Sequence, residues 1–155
     1  MPDVPESVRD FLASRRIAVA GVSRDPNQPA NLIYRRLRDT GHEVVAVNPA
    51  AEEVEGERCW PDLASVPGEV DAVVVATPPA AAEAVARECA ERGIPRMWMH
   101  RSFGRGSVSA EAVAFCRRRG IQVIVGGCPM MYCGRVDVAH RCMRWILDLR
   151  GRIEA

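Results

Sequence analysis

The chain contains no lysine, and all 21 of its basic residues are arginine. That absence excludes a Schiff-base lysine, a lysine general base and the lysine of a Walker phosphate loop. Aromatic residues are scarce, at 5%. No apolar stretch approaches the roughly 18 residues needed for a membrane-spanning helix. Charge of one sign is also lacking: the net charge of +1 gives no basis for bulk attraction to nucleic acid or a membrane. The tight basic run Arg117-Arg118-Arg119, just before Gly120, fits a solvated helix end, where cations are favoured. Met1-Pro2-Asp3 leads into a charged amphipathic segment and not into a basic then apolar signal peptide. The scattered Cys59, Cys89, Cys116, Cys128, Cys133 and Cys142 do not make a secreted disulfide framework. A cytoplasmic protein with reduced thiols is expected.

What is present is ordinary for a globular domain: 155 residues, 48% hydrophobic and 26% charged. That length buries its own core, so one domain over 1–155 is expected. A leading amphipathic helix spans about 4–14, with Val8, Phe11 and Leu12 on one face. Apolar runs at Ile17–Ala20, Val44–Val47, Asp71–Ala76, Arg96–Met99 and Ile121–Val125 read as strands buried on both faces. Helical patterns follow from Pro29 to Thr40-Gly41, from Pro79 to Arg92-Gly93, from a cap near Ser109 to Arg119-Gly120, and over about 135–149. Pro61 is expected to open a single helical turn ending near Val66-Pro67. Strands alternating with helices predict an α/β, three-layer Rossmann-like domain: a parallel sheet of about five strands with helices on both faces.

The chain is organised around Ile17 to Asn31. A buried strand ends at Ala20, Gly21 and Ser23 break it, and Pro29 opens a helix, where its missing N–H is not needed. Such a unit points unpaired helix N–H groups at whatever occupies the loop, usually a phosphate. Ligands in such sheets sit outside the carboxyl ends of the strands. The loops in play are Gly21–Gln28, Asn48–Pro49, Thr77–Pro79, His100–Gly106 and Gly126–Tyr132. A dinucleotide is disfavoured on two grounds. The first loop lacks the GxGxxG fingerprint, and the second strand ends in Asn48-Pro49 instead of the acid that holds the ribose hydroxyls. A ligand lacking a free ribose diol, or already phosphorylated there, fits better, and Arg24 can pair with such a phosphate in a bidentate manner. The alternative for Arg24 is a solvated loop residue.

Gly21-Val22-Ser23-Arg24-Asp25-Pro26, Val47-Asn48-Pro49, Gly56 with Cys59-Trp60-Pro61 and Leu63, and Gly127-Cys128-Pro129 occur in this order. Together they resemble the small stand-alone CoA-binding domain proteins, relatives of the CoA-binding domain of the succinyl-CoA synthetase alpha subunit. The resemblance covers roughly Phe11 to Met131. It implies coenzyme A, or an acyl-CoA, lying across the strand ends. Gly21, Ser23 and Arg24 would hold the phosphates, Val47, Asn48 and Pro49 would border the adenosine, and Val22 and Asn31 are further candidate cofactor-binding residues. Ala76, Thr77 and Pro78 would flank the pantetheine, and His100, Cys128 and Pro129 are further candidate cofactor-binding residues, with Cys128 placed where a CoA thiol could reach. Where the family often has an aromatic–Arg pair and a Gln, this chain carries Ala76-Thr77 and His100.

Individual residues keep competing readings. Cys128 is either a thiol in reach of the ligand, with a redox or mixed-disulfide role, or a small buried residue in a tight turn. Cys128, Cys133, His140 and Cys142 lack the paired spacing of a zinc site. His100 titrates near neutrality and serves ligand contact, loop hydrogen bonding or, less expectedly, base catalysis. His42 is expected at the surface. Met130, Met131, Tyr132, Met143, Trp145 and Ile146 form an apolar patch, either core or a homodimer interface.

The leading expectation is a CoA or acyl-CoA binding or sensing module without chemistry of its own, acting through a small-molecule ligand or a protein partner. No nucleophile, base and orienting group can be assembled from sequence position. The alternatives are an NAD(P)-binding redox protein or sensor using Cys128, and a small-acyl transferase using His100.

Overall fold

The computed structural model describes residues 3–102, 104–134 and 138–149. The central strand β1 (Arg16–Ala20) is followed by α2 (Pro29–Asp39) and β2 (Glu43–Val47), with a short α1 (Glu6–Leu12) before it. Two short strands, β3 (Glu53–Val54) and β4 (Glu57–Trp60), precede β5 (Ala72–Val75). Then come α3 (Pro79–Arg92), β6 (Arg96–Met99), α4 (Ala110–Arg118), β7 (Gln122–Val125) and α5 (Val138–Leu149). The start expected for the last helix, at Arg135, lies outside the described residues.

The sheet has seven strands in the order β3-β4-β2-β1-β5-β6-β7. All neighbours run parallel except β3 against β4. The chain winds outward from β1 through β2 and β4, then returns to β1's other side with β5. The crevice between β1 and β5 is therefore the point where strand order reverses. Ala20 is level there with both Val47 and Val75, so three strand ends open at one height.

Both faces of the sheet are covered, which is why the strands read as unbroken apolar runs. Ile17, Val19, Val74, Trp98 and Ile124 belong to one core with Val8, Phe11, Ile33, Leu37 and Leu147. Ala18, Ala20, Val73, Val75, Met97 and Val125 belong to the other, with Ala86, Cys89, Val113 and Cys116. Trp98 is fully buried, with its ring edge-on to Phe11 at 5.3 Å and its indole N–H donating to the Gly126 carbonyl at 2.9 Å. Ser109 caps α4, its hydroxyl accepting from the Ala112 N–H.

Four expectations need correction. Seven strands replace about five, because the polar Glu52–Gly56 segment folds back as a tight hairpin. Glu55 (φ 53°) and Gly56 (φ 76°) take left-handed conformations in its turn, as such two-residue turns require. The leading helix is shorter than 4–14, ending at Leu12 with Ala13 as its cap. Residues 61–66 form turns and no helix; the Ser65 N–H donates to Asp62 and the Val66 N–H to the Leu63 carbonyl. His42 is half-buried instead of simply surface. One ring nitrogen lies 2.9 Å from the Leu12 carbonyl and the other 3.2 Å from the Leu37 carbonyl, so it pins the ends of α1 and α2 together. Among the described residues, no helix is long and apolar enough to cross a membrane.

Candidate functional site

Each parallel strand hands its last backbone pairing to the first residue of its loop. The Gly21 N–H donates to Val47, Ala76 to Ala20, His100 to Val75 and Gly126 to Met99, all between 2.9 and 3.0 Å. With the Asn48 N–H, which donates to Trp60 at 2.8 Å, five loops leave the sheet from fixed points along its carboxyl edge. Gly21 has φ 107°, and a Cβ built there would stand 2.3 Å from the Ala76 carbonyl oxygen. The crevice between β1 and β5 is narrow enough that only glycine fits at its lip.

The first loop is held from inside. Asn31, 1% exposed, accepts from the Ser23 N–H at 2.9 Å and donates to the Ser23 carbonyl at 2.7 Å. The same amide nitrogen donates to Glu55 at 2.8 Å, and Arg35 pairs with that carboxylate oxygen at 2.6 Å. Asn48 donates to the Val22 carbonyl from the second strand's end. At the tip, the Ser23 hydroxyl accepts from the Asp25 N–H, and Asp25 accepts from the Asn27 N–H and the Gln28 amide. Those bonds, the Gln28 amide foremost, hold the Asp25 carboxyl below its ordinary range. Arg24 is exposed on this rigid tip, and no hydrogen bond or ion pair among the described residues holds its side chain.

Cavities line this edge on both sides of the crevice. The larger, about 490 Å³, lies over the ends of β5, β6 and β7, between the start of α2 and the start of α5. The smaller, about 170 Å³, lies over β1 and β2 against α3. Thr77 lines both. Beyond the smaller one, across Pro49 and Pro61, is an outer hollow of about 770 Å³ bearing Glu52, Glu53, Glu57 and Arg58. The three form a run along the sheet's carboxyl edge, and the cavity over β5–β7 and the outer hollow are each of the size that ligand sites occupy.

Among the residues singled out in sequence, Gly21, Val47, Asn48, Pro49 and Thr77 line the smaller cavity. Ala76, Thr77, His100 and Cys128 line the larger. The others lie differently. The Val22 side chain is fully buried in the core, Asn31 spends its amide on the loop, and Pro129 is buried in a short helical turn, Pro129–Met131. Pro78 is exposed at the start of α3.

Sequence reasoning missed Leu32 and Ser107, which also line the larger cavity, and Glu88 in the smaller; Ser102, from the His100–Gly106 loop, and His140, weighed only as a metal ligand, line the larger cavity too. Leu32 carries an apolar helical signal but sits 39% exposed at the cavity wall. Glu88 accepts from the Leu63 N–H at 2.7 Å, and burial raises its pKa. No sequence signal marks either role.

His100 has its Nε2 at 3.1 Å from the Ser102 hydroxyl, and its backbone carbonyl accepts from the Ser107 N–H. Burial, reinforced by the nearby His140, pushes its pKa down from 6.5 to about 4. The ring is therefore neutral at physiological pH. Between pH 6.5 and 4 the unfolded chain takes a proton that the folded chain refuses. Stability therefore falls as pH drops through that window. Urea midpoints at pH 7, 5.5 and 4.5 should fall further for the parent than for His100→Gln. Parallel curves would exclude the buried neutral imidazole.

Four further thiols, Cys59, Cys89, Cys116 and Cys133, are buried and behave as core residues, whereas Cys142 is exposed. Burial raises Cys59, Cys89 and Cys133, and pushes Cys116 up to about 11. Among the described residues no group of His, Cys, Asp and Glu is arranged to hold a metal ion.

Comparison with known proteins adds relatives. Residues 15–134 match the family described as CoA binding domain. The uncharacterized protein YneT of Bacillus subtilis is 30% identical over 127 residues, covering 82% of this chain and 86% of that protein. An ADP-forming acetate–CoA ligase of Archaeoglobus fulgidus is 33% identical over 89 residues, which is 56% of this chain but only 13% of the ligase. Among solved structures, a conserved hypothetical protein of Pyrococcus furiosus superposes with a TM-score of 0.62 at 34% identity, covering 70% of this chain and 90% of that one.

Proposed function

The chain belongs to the CoA binding domain family, and from that premise we propose that it binds coenzyme A or an acyl-CoA along the carboxyl edge of its sheet. The observation that carries this reading is the run of cavities meeting at Thr77, beside a first loop already fixed in shape. In it, the adenosine lies toward Asn48 and Pro49, and the phosphates lie near the Gly21–Asp25 loop. The pantetheine crosses Thr77 into the larger cavity. Arg24 takes the ribose phosphate as a charge-assisted, forked contact. A loop that is ordered before binding loses little freedom on binding, which favours affinity.

The chain acts in this reading as a cytoplasmic binding or sensing module whose effect passes through its ligand or a partner. Asn48 supports it against a nicotinamide dinucleotide. Its side chain is an amide already donating to Val22, where such cofactors want a carboxylate for the ribose diol.

The test is an unfolding-temperature panel with CoA, acetyl-CoA, dephospho-CoA, ADP, NAD and NADPH. A ligand at about a hundred times its Kd adds about 2.7 kcal/mol, a rise of several degrees for a domain of this size. CoA should raise the midpoint and dephospho-CoA should bind about tenfold more weakly, the worth of one charge-assisted contact. Arg24→Ala should erase that difference while leaving the dephospho-CoA affinity unchanged. A shift with NAD or NADPH alone would replace this reading with the redox one.

A further inference from the structure

Resting on the coenzyme A reading, we propose that the larger cavity takes the acyl end of the ligand and selects uncharged acyl thioesters over those ending in a carboxylate. Leu32, Ala76, Cys128 and Met130 supply apolar wall, and Thr77, Ser102 and Ser107 supply neutral hydroxyls. Two imidazoles, His100 and His140, and the neutral amide of Gln28 complete the polar side. Among the described residues neither a guanidinium nor a carboxylate belongs to this wall, although the chain carries 21 arginines.

A carboxylate entering such a space loses water and, among the described lining residues, meets no guanidinium to pair with, and burying an unpaired charge is strongly unfavourable. The imidazoles do not repair this. His100 is buried, its Nε2 is engaged with Ser102, and burial, with the nearby His140, disfavours a proton on its ring. An alkyl acyl group, by contrast, covers Leu32 and Met130 and gains by removing apolar surface from water. A thioester carbonyl finds donors in the hydroxyls at Thr77, Ser102 and Ser107. Selection then comes from what the wall lacks: an acyl chain is accepted because nothing in it needs a charged partner.

Calorimetric titration with CoA, butanoyl-CoA and succinyl-CoA tests the assignment, since the two acyl groups match in carbon count and differ by a carboxylate. Butanoyl-CoA should bind at least as tightly as CoA, and succinyl-CoA at least tenfold more weakly. Leu32→Arg places a cation on an exposed wall position where the fold tolerates it. It should narrow the butanoyl-to-succinyl ratio several-fold. Binding of succinyl-CoA within twofold of butanoyl-CoA overturns the selectivity while leaving the coenzyme A reading intact. An unchanged ratio in Leu32→Arg shows that the acyl end lies elsewhere and overturns it too. Failure of all three ligands to bind removes the coenzyme A reading itself.

Discussion

Gly21→Ala should lower the unfolding midpoint by roughly 10 °C and abolish measurable CoA binding. The new methyl would stand 2.3 Å from the Ala76 carbonyl oxygen and 3.0 Å from its carbon, both backbone atoms. Neither strand end can retreat, because the Gly21 N–H is bound to Val47 and the Ala76 N–H to Ala20. The residue must also keep φ at 107°, where an L side chain is strained. Strain of about 1–3 kcal/mol for the dihedral adds to overpacking of similar size. At about 2–4 °C per kcal/mol for a domain of this length, the sum gives the expected shift. Gly41→Ala is the control. Its φ is 94°, yet nothing lies within 4 Å of the added methyl, so it carries the strain without the clash. Equal losses in the two variants would mean that the crevice between β1 and β5 is wider than described.

Asn31→Ala should cost about 2–3 kcal/mol in urea denaturation, because it strands several buried polar groups at once. The Ser23 N–H and carbonyl lose their partner, and Glu55 keeps only Arg35. The more telling variant is Asn31→Asp. It retains an acceptor for the Ser23 N–H but sets a carboxylate facing the Ser23 carbonyl and the Glu55 carboxylate, where the amide had been donating. It should be at least as damaging as alanine, despite being nearly identical in shape. Hydrogen exchange at the Ser23 amide should accelerate in both variants. Slow exchange there in Asn31→Ala would show that the loop holds its shape without the clasp.

The backbone of this fold was legible because the sheet is covered on both faces. Ala72-Val73-Val74-Val75 is apolar at every position since each residue faces one of two cores. The helix starts at Pro29 and Pro79 and the stop at Gly93 were equally plain, being set by local backbone chemistry. Glu53 to Trp60 was harder, because its pairing partners are remote. β4 joins the parallel sheet through Cys59 and Trp60, which pair with Ala46 and Val47, and β3 joins it only through Glu57 and Arg58 of β4. The Glu55-Gly56 turn was the local signal available.

The site divides the same way. Residues that follow a strand directly, such as Gly21, Asn48, Ala76 and His100, are placed by the strand's end, so their position could be read. Leu32 and Glu88 reach the cavities from helix faces, and the crossing of helix over sheet decides which face looks inward. Asn31 was singled out with the first loop, but its bond to Glu55 joins residues 24 apart in sequence. No spacing rule foretells that contact.

The two-residue strand β3 has a consequence for how the molecule tolerates its own neighbours. An open sheet ends in a row of unpaired backbone groups that invites another chain to add on, and parallel sheets with apolar strands are especially exposed to this. Here the flank beyond β4 is closed by a strand too short to template a long partner. That strand pairs antiparallel against the grain of the sheet, and Glu52, Glu53, Glu55 and Glu57 cluster around its turn. Two molecules meeting flank to flank would bring like charges together before any ladder formed. The hairpin that helps clamp the first loop also keeps this side of the sheet from polymerising.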